Sequence, residues 1–188
     1  LVPAGTGFSK GKFDIEKVVR DTIAEIGYDN PALKFDAKTC EVIVKIDPQS
    51  PNISQGVTVS QTQEEQGAGD QGLMFGYASD ETDVLMPAPL FYSHEILRSL
   101  AGVRHSGVEP GLLPDSKSQV TLRYVNGEPV GVTSVVVSTQ HAANLDQAAV
   151  REIVRPHVMD VLPEGWMCPE DSFYVNPTGR FVVGGPDG

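Results

Sequence analysis

Residues 118–139 read SQVTLRYVNGEPVGVTSVVVST. Over Ser118 to Tyr124 the residues Val120, Leu122 and Tyr124 alternate with polar neighbours, which puts them on one face of a strand. Asn126-Gly127 is the dipeptide that accepts positive φ at both central positions of a two-residue hairpin turn. Val130 to Thr139 then forms the returning strand, and its run Val135-Val136-Val137 predicts burial on both faces. A long antiparallel hairpin is therefore the kernel around which the rest of the chain is read.

On its N-terminal side, Pro87 and Pro89 open a helix running to about Arg104, with Ile96, Leu97, Leu100 and Val103 inward. On its C-terminal side, Asp146 to Leu162 is a second helix, with Val150, Ile153, Val154, Val158 and Val161 inward and Pro156 as a kink. Ser172 to Val175 and Arg180 to Val183 are predicted strands flanking the turn Asn176-Pro177-Thr178-Gly179. Further upstream, Asp14 to Ile26 carries Ile15, Val18, Val19, Thr22, Ile23 and Ile26 at helical spacing and stops at Gly27. Cys40 to Ile46 reads as a strand rich in β-branched residues. There is no βαβ regularity and no short tandem repeat. The expected class is α+β, with mostly antiparallel sheets and helices on one face.

Between these parts, Asp47 to Gln66 contains Pro48, Pro51, Gly56 and many Ser, Thr and Gln, with few large apolar residues. A connection of about 20 residues exceeds ordinary loops and is either a functional lid or an inert linker.

The 188 residues, 40% hydrophobic and 21% charged, can bury a core. The net charge of −11 argues against nucleic-acid binding, which needs a basic face. Any polyphosphate ligand must be held by a few local cations. Cys40 and Cys168 lie far apart without metal-type spacing, which makes a reducing, cytoplasmic compartment the default. No apolar run reaches the ~20 residues of a membrane-spanning helix. The start, LVPAGTGFSKG, lacks the features of a signal peptide and an initiator Met. It is expected to lie partway into a longer protein or to carry added residues.

Gly67-Ala-Gly-Asp-Gln-Gly72 is formally G-x-G-x-x-G. Its setting excludes a dinucleotide fold. The preceding Gln61 to Gln66 is polar and not a strand, and no long helix follows. Pro87-Ala-Pro89 stands near the place, about 20 residues on, where an acidic residue would hold a ribose. A P-loop is excluded too, because no Gly-Lys-Ser/Thr follows.

Four places can carry chemistry. Asp70 sits in this glycine-rich turn, as a ligand carboxylate or as a turn residue bonding its own backbone. Asp115-Ser116-Lys117 precedes a strand and offers a hydroxyl acceptor and a point charge for phosphate, or else a solvated pair. Arg180-Phe181 supplies a guanidinium and a ring that either stack and bind or pack in the core. His141, at a strand end, is a candidate acid or base and otherwise an exposed residue. His94, His105 and His157 form no metal triad with the acids, and Trp166 reads as a packing residue.

Together these blocks resemble the S-adenosylmethionine synthetase (methionine adenosyltransferase) family. The resemblance rests on residues 65–77 (EQGAGDQGLMFGY), 81–89 (ETDVLMPAP), 114–121 (PDSKSQVT), 137–141 (VSTQH), 176–181 (NPTGRF) and 184–186 (GGP), in consistent order from about Asp14 to the end. It implies that a methionine sulfur attacks C5′ of ATP and expels tripolyphosphate, which is hydrolysed to pyrophosphate and phosphate, with Mg²⁺ and K⁺ assisting. Asp115, Ser116 and Lys117 resemble the family's ATP-contacting Asp-Ala-Lys, with Ser for Ala, which implies Lys117 as the catalytic cation on the polyphosphate. Arg180 and Phe181 match its adenosine-holding pair. Asp70 matches a carboxylate near methionine, and Gln49 the glutamine that opens a mobile gate loop, so the resemblance favours a lid.

It also implies departures. The family's Gly-His-Pro-Asp-Lys and Ser-Gly-Lys-Asp segments, with a catalytic His, a Mg²⁺-ligating Asp and phosphate-binding lysines, are absent from these residues. No metal ligand is assigned within the chain. Ala4 to Lys10 replaces a stretch whose Gly-Glu contacts methionine, and the chain stops one position before a substrate-holding Asp. The implied organisation is part of one domain over 1–47, a gate over 48–66, a second domain over 67–183 and the start of a continuation over 184–188. These belong to a fold of pseudo-repeated domains. Homodimers or homotetramers with active sites between chains are implied, and so is inactivity of these residues alone. The alternative is a non-catalytic fragment serving dimerisation or nucleotide binding.

Overall fold

The computed structural model describes residues 4–7, 13–48, 50–52 and 71–188, with residues 4–7 and 48 described through their backbone. Its centre is the expected hairpin. Strand β3 (Leu112–Val125) pairs antiparallel with β4 (Glu128–His141), with Val120 opposite Val135 and Lys117 opposite Ser138. Asn126 (φ 54°) and Gly127 (φ 88°) both turn left-handed, as a two-residue turn between right-twisted strands requires.

Two helices cover one face of this hairpin. Helix α2 (Ala88–His105) buries Ile96 and Leu100, and α3 (Gln147–Val161) buries Val150, Val154 and Val158. They close over Val120, Val132, Val135, Val137, Phe173 and Val175, with Trp166 packed at the edge of the cluster against Tyr92. Leu97, Val103, Ile153 and Val161 are only partly buried. The valine run is not buried on both faces. Val135 and Val137 are fully enclosed, while the pleat turns half-buried Val136 to the opposite face beside Gln119. Helix α3 is capped by Asp146, whose carboxylate accepts the Ala149 N–H at 2.8 Å. Pro156 lies inside that helix. Helix α2 has no side-chain cap from Pro87. Glu81 serves instead, accepting the Ala88 N–H at 2.9 Å and the Tyr124 hydroxyl at 2.6 Å.

Among the described residues the three-stranded sheet is mixed and the two-stranded one parallel, which corrects the mostly antiparallel expectation. Strand β5 (Phe173–Val175) runs parallel to β4 because α3 crosses over between them. A smaller sheet repeats this arrangement. Strands β1 (Ala4–Gly7) and β2 (Lys45–Pro48) are parallel, and helix α1 (Ile15–Ile26) lies between them in sequence. The strand expected from Cys40 begins only at Lys45. Asp36 folds residues 36–40 into a turn, its carbonyl accepting the N–H of Thr39 and Cys40 and its carboxylate that of Lys38. Ladder bonds start only where β1 runs alongside. Helix α1 buries little of its apolar stripe. Ile23 is enclosed with Tyr28 and Ala37, while Val18 and Ile26 remain exposed.

The segment 180–183 is not a strand. Its backbone meets β4 chiefly through side chains. Among the described residues, no helix is long and apolar enough to cross a membrane.

Candidate functional site

The far end of the hairpin carries the chemistry. Alternation along β3 and β4 sends Val120 and Val135 toward the helices and the paired Lys117 and Ser138 to the opposite face. At that end the chain leaving β5 folds back across β4. Buried Asn176 organises the turn. Its Oδ1 accepts the Thr139 N–H at 2.8 Å and its Nδ2 donates to the Thr139 carbonyl at 3.0 Å. One side chain thus continues the sheet beyond the last residue of β5. The Gln147 amide adds bonds to the carbonyls of Val175 and Asn176, at 3.1 and 2.8 Å.

This fold-back brings Arg180 and Phe181 beside Lys117. Together with Asp115, Ser138 and Asn176 they line one open cavity of about 240 Å³. Two cations and one partly buried ring thus face the same space in a chain of net charge −11. Lys117 is exposed and forms no ion pair with any described residue. Arg180 donates to the Ala143 carbonyl at 2.7 Å, which fixes the direction of its guanidinium. An oriented fork beside a free ammonium suits a ligand with an aromatic base at one end and several phosphate charges at the other.

Asp115 has a partner within the chain. Its carboxylate accepts the Gly185 N–H at 2.8 Å. Gly185 has φ +71°, and a Cβ there would stand 3.0 Å from the Tyr28 hydroxyl. Tyr28 therefore reaches from the turn after α1 to Gly185, the residue that Asp115 holds. Burial pushes its phenol above the ordinary value, and the nearby Asp115 carboxylate adds to that shift.

The other expected site residues divide. Ser116 turns to the helix side of the sheet, where its hydroxyl meets that of Thr139 at 2.8 Å beside a separate cavity of about 160 Å³ under Leu97 and Arg104. Gln49 and Asp70 lie outside the described residues, as do residues 53–66 of the gate segment 48–66. His141 is not an exposed strand end. It is completely buried, because the segment 180–183 folds over it. Asn176, Ser138 and Thr178 also line the cavity and were not singled out from the sequence as ligand contacts. The turn-forming Asn-Pro-Thr-Gly run hinted at Asn176 and Thr178. Among the described residues, no group of three or more His, Cys, Asp or Glu side chains stands together as a metal centre would require.

Comparison with known proteins adds an independent line. Residues 65–181 match the model of the S-adenosylmethionine synthetase central domain, and residues 2–51 match that of its N-terminal domain. The chain is 60% identical over 174 residues to an S-adenosylmethionine synthase of Paramagnetospirillum magneticum, covering 93% of this chain and 44% of that protein. It is 59% identical to S-adenosylmethionine synthase 2 of Rhodospirillum rubrum and 58% identical to the synthase of Rhodospirillum centenum, with the same coverage. The chain thus spans somewhat less than half the length of the curated relatives it matches. The central match includes every described residue that brings charge or an aromatic ring to the cavity, from Asp115 to Phe181. On these grounds the chain belongs to the S-adenosylmethionine synthetase family.

Proposed function

We propose that this chain is the portion of a methionine adenosyltransferase that supplies the nucleotide-holding side of its active site. The parent protein then forms S-adenosylmethionine from ATP and L-methionine, releasing pyrophosphate and phosphate. The observation that carries this reading is the convergence of Asp115, Lys117, Arg180 and Phe181 on one cavity from segments more than sixty residues apart in sequence.

The reaction turns a neutral thioether into a sulfonium while a highly charged tripolyphosphate departs, so the barrier is one of alignment and charge. In this reading Lys117 stabilises charge on the leaving polyphosphate. Arg180 and Phe181 hold the adenosine, with the ring against the base, and Asp115 and the Ser116 backbone complete the ATP contacts. Gln49 and Asp70 serve methionine. Mg²⁺ and K⁺ would neutralise phosphate charge, through ligands largely supplied from elsewhere in the assembly. The domain division at 1–47, 48–66, 67–183 and 184–188, the pseudo-repeated architecture, a cytoplasmic homodimer or homotetramer, and active sites between chains all belong to this same proposal.

The test is turnover of the full-length parent with ATP, methionine, Mg²⁺ and K⁺. S-adenosylmethionine should accumulate, while the 188 residues alone should form none. Absence of product from the parent, with ATP still bound, would favour the non-catalytic nucleotide-binding reading instead.

A further inference from the structure

Two adjacent side chains at the end of β4 are fully buried, polar, and outside the cavity wall: Gln140 and His141. Both reach the same neighbouring segment. The backbone N–H of Phe181 donates to Nε2 of His141 at 3.1 Å, and the His141 backbone N–H returns a bond to the Phe181 carbonyl at 2.8 Å. An N–H donor can be received at Nε2 only by a lone pair, so this network assigns the ring proton to Nδ1. There it donates to the Ala142 carbonyl at 3.0 Å. Gln140 uses its Nε2 to donate to the Val182 carbonyl at 3.0 Å, and its Oε1 accepts the Asp115 N–H at 3.3 Å. The segment 180–183 has no strand ladder. It is held to β4 and the residues just after it by the side chains of these two residues, by the one backbone bond from His141 and by the Arg180 bond to the Ala143 carbonyl.

We propose that His141 and Gln140 are positioning residues for the nucleotide, clamping the backbone of Phe181 and Asp115 so that ring and carboxylate face the cavity with Lys117. This rests on the functional reading above and extends it to residues that need not touch substrate. A clamp on the adenosine side affects ATP and leaves methionine alone. Supporting residues behind a ligand contact commonly change affinity or rate by roughly ten- to a hundredfold.

The experiment uses the full-length parent with two substitutions at one position. His141→Asn retains a polar group near the Nδ1 position and removes the acceptor at Nε2. His141→Gln reaches to the Nε2 position with an amide oxygen. His141→Asn should raise KM for ATP, and Kd for ATP by calorimetry, by roughly tenfold or more, with KM for methionine unchanged. His141→Gln should recover most of the loss. Nitrogen-15 spectra of the unsubstituted protein should show a neutral His141 ring protonated at Nδ1, a readout independent of whether either variant folds. Unchanged ATP binding in His141→Asn, equal rises in both KM values, or a proton on Nε2 would overturn the clamp. A parent that neither binds ATP nor forms product would instead overturn the functional reading, whatever the ring's tautomer.

Discussion

The Asp115 carboxylate accepts the Gly185 backbone N–H at 2.8 Å, joining β3 to a residue 70 positions further along the chain. Gly184, immediately before that contact, is buried, and a Cβ built there would lie 2.7 Å from Gln140 Oε1 and 2.8 Å from Asp115 Cβ. Its backbone is extended, so the constraint is space and not conformation. Gly184→Ala should destabilise the protein by about 1–3 kcal/mol through overpacking. Urea unfolding checks this, and an unchanged midpoint would show that the segment yields freely.

Neither cation of the site forms an ion pair among the described residues, and Lys117, unlike Arg180, has no backbone carbonyl holding it there either. If it stabilises charge on a departing polyphosphate, Lys117→Ala in the full-length parent should lower kcat by at least ~10²-fold. Steady-state kinetics at saturating ATP and methionine provide the measurement. An unaltered kcat would remove Lys117 from the chemistry.

Glu170 bridges Arg151 and Arg155, at 2.6 Å to each, and both guanidinium groups also stack on the Phe173 ring. Hydrogen bonds from Arg155 first, then Arg151, lower its carboxyl from 4.5 to about 2. A carboxyl depressed by folding supports the fold above its unfolded value. That support fades as pH falls from 4.5 through about 2. Glu170→Gln should therefore flatten the acid limb of the stability profile between those values, with little effect at pH 2. The group is largely solvent-exposed, so the effect should be small and should shrink in high salt. Denaturation midpoints across that range, at two ionic strengths, decide the point.

Ile96 is completely enclosed where α2 meets the hairpin. Ile96→Ala should cost about 2–5 kcal/mol by leaving a cavity that two helices and a sheet cannot collapse. Thermal and chemical unfolding should both register it. A loss below that range would mean that the helix slides to fill the space.

Local chemistry made much of this molecule legible in advance. Asn126-Gly127 specifies its turn because both residues tolerate positive φ, so the hairpin could be read from 22 residues. Asp146 and the valine spacing after it marked α3 for the same kind of reason, since caps and periodicity act within a few residues. The short blocks around Asp115, Lys117 and Arg180 were also visible as candidates.

What the residues determined alone was thus the identity of the helices, the hairpin and the chemical groups on offer. Tertiary structure decided the rest, because pairing direction, burial and convergence depend on which distant segments become neighbours. The parallel β4–β5 pair exists because α3 carries the chain back across the sheet. Arg180 to Val183 is no strand, and its backbone is met by the side chains of Gln140 and His141 and by one backbone bond from His141. The same fold-back buries His141 and sets Arg180 and Phe181 against Lys117, a meeting that no local periodicity encodes.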